Sequence, residues 1–116
     1  MTGIENLVRI RDQASVANIR QITDCFVSQI NPLKVILFGS FADGTYTEDS
    51  DYDFYIVVDD QHTDWHAQTV KAYKAIRSIR TKPVDILVGT KSNFEKRKAH
   101  SSIEREVAQK GVLLYG

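Results

Sequence analysis

The sequence predicts an α/β or α+β domain whose sheet carries the candidate chemistry. Three observations support this. Apolar residues recur at spacings of three and four between Val16 and Ile30, as on one buried helix face. The runs "KVILF", "DFYIVV" and "VDILV" are rich in β-formers and bounded by Gly, Pro or Asp. At 116 residues, 42% hydrophobic and 26% charged, the chain suits one globular core, so residues 1–116 are expected to form a single domain.

Taken in order, the first dozen residues are expected to hold a short helix. The longer helix follows, with Val16, Ile19, Ile22, Phe26 and Ile30 inward, Ser15 as N-cap, and a stop at Asn31-Pro32, because proline disfavours a helical predecessor. The lone Cys25 falls within this pattern and reads as a small core side chain. Lys34 to Phe38 is a buried strand, and "SFADG" after it suits one helical turn. Asp53 to Val58 is the second strand. Thr63 to Arg80 is a helix with Val70, Tyr73, Ile76 and Ile79 on its inner face, broken by Lys82-Pro83. Val84 to Val88 is the third strand. The capping patterns Ser92-x-x-Glu95 and Ser101-x-x-Glu104 predict two short helices, the second ended by Gly111 before a final strand at "VLLY".

The formal net charge is zero, but the charges are segregated. From Phe41 to His66 there are eight acids and no Lys or Arg; from Ala67 onward eleven bases face Asp85, Glu95, Glu104 and Glu106. Most of these side chains are expected to be solvated surface. No apolar run reaches the roughly 18 residues of a membrane span, and the start lacks the pattern of a signal peptide, so a cytoplasmic protein is expected.

Acids within an apolar strand ask for another explanation. Strand side chains alternate, so Asp51, Asp53 and Tyr55 share one face while Tyr52, Phe54 and Ile56 take the other. Asp85 is the one acid of "VDILV". An ionised carboxylate in a sheet core is costly unless a partner or a metal neutralises it. If the two strands are neighbours, Asp51, Asp53 and Asp85 form an oxygen cluster suited to Mg²⁺. Gly39-Ser40, directly after a buried strand, lets the backbone approach a ligand, and the free N–H groups of a following helical turn suit a phosphate. Divalent ions would offset the repulsion between a triphosphate and the acids. A P-loop is excluded because Gly39 and Gly44 are followed by Thr45-Tyr46 rather than Lys-Ser/Thr. An EF-hand starting at Asp49 is excluded by Phe54 at its sixth position.

Gly39-Ser40, ten further residues and Asp51-Tyr52-Asp53, with Ala42, Gly44 and Ser50 in place, resemble the signature of the DNA polymerase β-like nucleotidyltransferases, and in particular the minimal nucleotidyltransferases. The "VDIL" strand and the ending "KGVLLYG" are similar to the same family. The resemblance implies a small mixed sheet flanked by helices and Mg²⁺-dependent transfer of a nucleoside monophosphate from a triphosphate such as ATP, with pyrophosphate released. It implies that Gly39 and Ser40 hold the triphosphate and that Asp51 and Asp53 bind two Mg²⁺ ions. Asp85 would ligate the catalytic ion and help deprotonate the acceptor. It further implies a HEPN-domain partner encoded nearby, with this chain as the antitoxin of a toxin-antitoxin pair that adds AMP to a tyrosine of the HEPN protein. The acceptor would come from a partner or a second copy of the chain, which leaves a homo-oligomer open.

One position departs from the pattern. Asp43 stands where many relatives carry Arg or Lys, and Lys91, Lys96, Arg97 or Lys98 are the candidates to compensate. Two rival functions follow: an antitoxin that only binds its HEPN partner, and a transferase directed at nucleic acid through the basic helices. His62, His66 and His100 lack metal-ligand spacing and read as surface residues. Tyr46, Tyr52 and Trp65 are candidates for stacking a base or contacting a partner, against the alternative of core packing.

Overall fold

A computed structural model describes residues 7–61 and 64–116. The elements run α1 (Gln13–Ile30), β1 (Lys34–Phe38), α2 (Ser40–Asp43), β2 (Tyr52–Val58), α3 (Trp65–Ile76), β3 (Val84–Thr90), α4 (Lys91–Arg97), α5 (Ile103–Lys110) and β4 (Val112–Tyr115). The strands form one mixed sheet in the order β3-β2-β1-β4. β1 pairs antiparallel with β2 and β4, whereas β2 and β3 are parallel and joined through α3. The expected mixed sheet flanked by helices is therefore the fold.

One face of the sheet is the main core. Ile19, Ile22, Phe26 and Ile30 of α1 and Ala72 and Ile76 of α3 pack on Val35, Leu37, Tyr52, Phe54, Ile56 and Ile86. Phe26 meets Phe54 edge to face at 5.3 Å. On the other face a smaller cluster of Ile36, Tyr55, Val57, Phe94 and Val107 lies under α4 and α5. This cover is incomplete: Asp85 is exposed, Leu87 keeps 40% of its surface, and Asp53 is half-buried. The candidate site is this open part of the sheet.

Several local expectations are corrected. Of the first dozen residues, 1–6 lie outside the described residues and 7–12 form no helix; Leu7 and Ile10 instead bury their side chains in the core, and Asp12 rather than Ser15 caps α1, its Oδ2 accepting from Ser15 N at 3.0 Å. Asn31 ends α1 in the left-handed region (φ 53°), which asparagine tolerates. Helix α3 stops at Ile76, where the amides of Ile79 and Arg80 both turn back to the Ile76 carbonyl. Its buried face is built on Ala72 and Ile76, leaving Val70 and Tyr73 exposed. The side chain of Asn18, at the buried side of α1, fixes that turn by donating to Ile79 O (2.8 Å) and accepting from Thr81 N (2.9 Å). Thr90 and Ser102, not Ser92 and Ser101, cap α4 and α5. Thr63 and His62 lie outside the described residues. His66 and His100 are exposed, and Cys25 is a free thiol packed against the core, as expected.

Tyr52 is fully buried against Phe41 and Phe54, not on the surface, and its hydroxyl has no hydrogen-bond partner among the described residues. An unpaired buried hydroxyl costs about 1–3 kcal/mol. Tyr52→Phe is expected to stabilise the fold by about 1 kcal/mol, read as a higher denaturation midpoint at unchanged slope. A lower midpoint would show that the hydroxyl is in use.

Candidate active site

The site is assembled by the register of β1, β2 and β3. Phe38 lies opposite Asp53 in the antiparallel pair, and Asp53 lies opposite Asp85 in the parallel one. Residues directly opposite on neighbouring strands share a face, so the two carboxylates stand side by side. Asp51, two residues before Asp53 and half-buried, follows the same alternation at the mouth of β2. Tyr55 and Val57 continue this face inward, while Tyr52, Phe54 and Ile56 point into the main core.

Gly39 completes the arrangement from β1. Its backbone (φ 73°, ψ −155°) is one that residues with a side chain rarely adopt, and a β-carbon there would collide with Asp53 Oδ2. The Asp53 carboxylate thus rests directly on the Gly39 backbone. Serine 40 opens α2, a single turn whose first bonds run from the Ala42 and Asp43 amides to Gly39 O. The Ser40 and Phe41 amides precede those bonds in the chain. The Gly-Ser turn and Asp53 are therefore in contact, with Asp85 opposite Asp53 on the neighbouring strand.

Electrostatics at Asp53 record this crowding. Burial, the Asp85 charge, the Asp51 charge and a hydrogen bond with the Asp85 carboxyl raise its pKa from 3.8 to about 6. Asp85 itself is exposed, so the cost of burying charge, expected for Asp85 from its apolar neighbours, falls on Asp53 instead. Among the described residues no three His, Cys, Asp or Glu side chains are gathered as a group that would enclose an ion as they stand. The acids are a pair in register, Asp53 and Asp85, with Asp51 acting on Asp53 by its charge. In kind they fit a divalent cation, being hard oxygen donors whose mutual repulsion a cation would relieve.

The raised pKa sets a sign for stability. Between pH 3.8 and about 6 the folded state holds a proton at Asp53 that the unfolded chain releases. The associated stability is present below the unfolded value and is lost as pH rises through the folded one. In metal-free protein with chelator, the stability of wild type relative to Asp53→Asn is expected to fall across this window and level off above it. Parallel pH curves for the two proteins would contradict the assignment.

The loop leading to Asp51 is firmly held. The Tyr46 ring stacks on Phe41 at 4.2 Å, with the Arg11 guanidinium 4.5 Å from its centre. Its hydroxyl accepts from Arg11 N and donates to Asp12 Oδ1, both at 2.8 Å, and Arg11 Nη1 donates to Gly44 O at 3.0 Å. Lys82 Nζ donates to Glu48 O at 2.9 Å, and Thr47 N to Ser50 Oγ at 2.8 Å. Tyr46 is thus occupied within the fold and anchors the segment before α1 to the loop after α2. No spacing in the sequence announces this contact, because its partners are 34 and 35 residues apart.

The departure at Asp43 is also resolved locally. Thr45 donates to Asp43 Oδ1 through its amide (2.9 Å) and hydroxyl (2.6 Å), and the charges of Arg9 and Lys110 add to these bonds in lowering the Asp43 pKa. Arg9, Lys110, Ala42 and Asp43 line a cleft of about 650 Å³ beside α2. The cations facing this position are therefore Arg9 and Lys110. Of the candidates named from the sequence, Arg97 pairs with Glu104 (2.9 Å) and Lys98 with Glu95 (2.5 Å). Glu104 also accepts from Tyr55 at 2.8 Å, so a buried carboxylate joins α5 and α4 to the sheet behind the site. Burial, its largest cause, and that hydrogen bond push the Tyr55 hydroxyl pKa up, while hydrogen bonds from Arg97 and Tyr55 outweigh burial to hold Glu104 low. Trp65 is 58% exposed at the rim of a second cleft, of about 590 Å³, shared with Gly89, Thr90, Asn93 and Arg97.

A model of the nucleotidyltransferase domain family matches residues 19–114. The chain is 35% identical over 85 residues to the "Putative protein adenylyltransferase" of Methanocaldococcus jannaschii, an alignment covering 71% of this chain and 77% of that protein. Two crystal structures share the fold at 20% identity. One, of "a putative nucleotidyltransferase from Sulfolobus solfataricus", superimposes with a TM-score of 0.56 over 97% of this chain and 86% of its own. The other, of a "putative nucleotidyltransferase", gives 0.57 over 84% and 98%. No helix among the described residues is long and apolar enough to cross a membrane.

Proposed function

Because the chain belongs to the nucleotidyltransferase domain family and is a nucleotidyl-transferring enzyme, we propose that it moves AMP from ATP to a protein hydroxyl, a tyrosine of a HEPN-domain partner, and so acts as an antitoxin. The observation that carries the reading is the Asp53–Asp85 register beside Gly39, since it sets a pair of acids, one of them in contact with the Gly-Ser turn, where a helical turn begins. The name of the archaeal relative supports a protein as acceptor.

In this reading Gly39 and Ser40 hold the triphosphate, and Asp51, Asp53 and Asp85 hold two Mg²⁺ ions. Bound there, the ions would neutralise the phosphates and assist both the attacking and the leaving oxygen. The protein's own part is positional. Gly39 lets Asp53 sit against the turn, the Tyr46 clasp fixes the loop before Asp51, and the edge strand β3 presents Asp85 to an incoming acceptor. The purely binding antitoxin rested on Asp43, whose charge is met by Thr45, Arg9 and Lys110, so that support weakens.

The test is to incubate purified protein with Mg²⁺, labelled ATP and the HEPN protein encoded beside it. Label is expected on a tyrosine of the partner. Tight binding of the partner without any label transfer would replace this reading with neutralisation by occlusion.

A further inference from the structure

We infer that Tyr73 of this chain is itself a nucleotidyl acceptor, so that the enzyme modifies its own α3; this rests on the transferase reading above. The five tyrosines differ sharply in what their hydroxyls do. Tyr46 donates to Asp12, Tyr55 is buried and donates to Glu104, and Tyr52 is fully buried. Tyr115 belongs to β4, at the opposite edge of the sheet from β3. Tyr73 alone combines exposure (41%) with a position at the strand that bears Asp85.

Its hydroxyl accepts a hydrogen bond from Ile86 N at 3.0 Å. That amide is joined directly to the Asp85 carbonyl carbon, so the phenolic oxygen is held at the edge of β3 beside the backbone of Asp85, where the two faces of the sheet meet. The oxygen is used here as an acceptor, and its own proton is given to no acceptor among the described residues. β3 ends the sheet on this side, with Asp85 and Leu87 exposed on one face, so among the described residues no further strand closes the approach. The α3 face that does pack uses Ala72 and Ile76.

In the step, the Tyr73 oxygen attacks the α-phosphorus of a nucleoside triphosphate. An oxygen–phosphorus bond forms, and the bond from the α-phosphorus to the oxygen bridging to the β-phosphate breaks. Pyrophosphate leaves with that electron pair, the phenolic proton passes to water, and the product is a phosphodiester on Tyr73. Nothing is oxidised or reduced.

The test is mass spectrometry of the purified chain after incubation with Mg²⁺ and each ribonucleoside triphosphate in turn, with no other protein present. One nucleotidyl group is expected on the peptide containing Tyr73, located by fragmentation of wild-type protein so that the result does not depend on a variant's folding. In Tyr73→Phe the adduct is expected to fall to the level of Asp53→Ala, while transfer to the HEPN partner continues. An adduct on another residue, or the same adduct on Tyr73→Phe, would overturn the inference and leave the transferase reading intact. So would an unmodified wild type that still labels its partner. Wild type that labels neither itself nor the partner would overturn both.

Discussion

Replacing Gly39 with alanine is expected to lower stability and remove nucleotide transfer together. The backbone at Gly39 (φ 73°, ψ −155°) suits glycine, and a side chain there costs about 1–3 kcal/mol in strain. The added β-carbon also meets Asp53 Oδ2, so either the turn or the carboxylate must move. For a domain of this size the strain corresponds to a fall in melting temperature of roughly 5–15 °C. Gly44→Ala is the control. Gly44 also has positive φ (85°), but its nearest neighbour is Arg9 Cβ at 3.3 Å, away from the acids. It should lose stability yet keep more activity per folded molecule. Wild-type melting and transfer in Gly39→Ala would remove the close approach from the account.

Asp53→Ala is expected to separate activity from stability. Loss of one preorganised charged group typically costs roughly 10²–10³-fold in rate, and that much loss of label transfer is expected. The same change removes a half-buried carboxylate whose charged form is opposed by burial and by Asp85 and Asp51. At neutral pH and without metal the variant should therefore melt at or above wild type, as when a strained functional group is deleted. Undiminished labelling would end the catalytic assignment. Lower stability together with lost labelling would point to a structural role.

Much of this could be read from the chain because the informative signals are local. The apolar residues Ile19, Ile22, Phe26 and Ile30 do line one helix face, "KVILF", "DFYIVV" and "VDILV" are strands, and Tyr55 and Phe54 take opposite faces as expected. Gly39-Ser40 and the acids are close in the motif, and Asp85 is conspicuous among its neighbours. The inner face of α3 is poorly legible in the sequence because the packing residue Ala72 is small, while the larger Val70 and Tyr73 suggest a face they do not form. The helix caps lie one to three positions from those the sequence suggests, since several Ser, Thr and Asp residues compete at each helix start and final packing selects among them. The contacts of Tyr46, Asp43 and Glu104 were hidden because their partners lie elsewhere in the chain or come together only in the folded sheet.

Trp65 is the sole indole of the protein, and it stands at the rim of the cleft formed by Gly89, Thr90, Asn93 and Arg97. Its emission carries no background from a second tryptophan, and its surroundings are partly water. Any molecule that settles into that cleft would dry the ring and shift its fluorescence, which gives the unlabelled chain an optical gauge of occupancy next to α4.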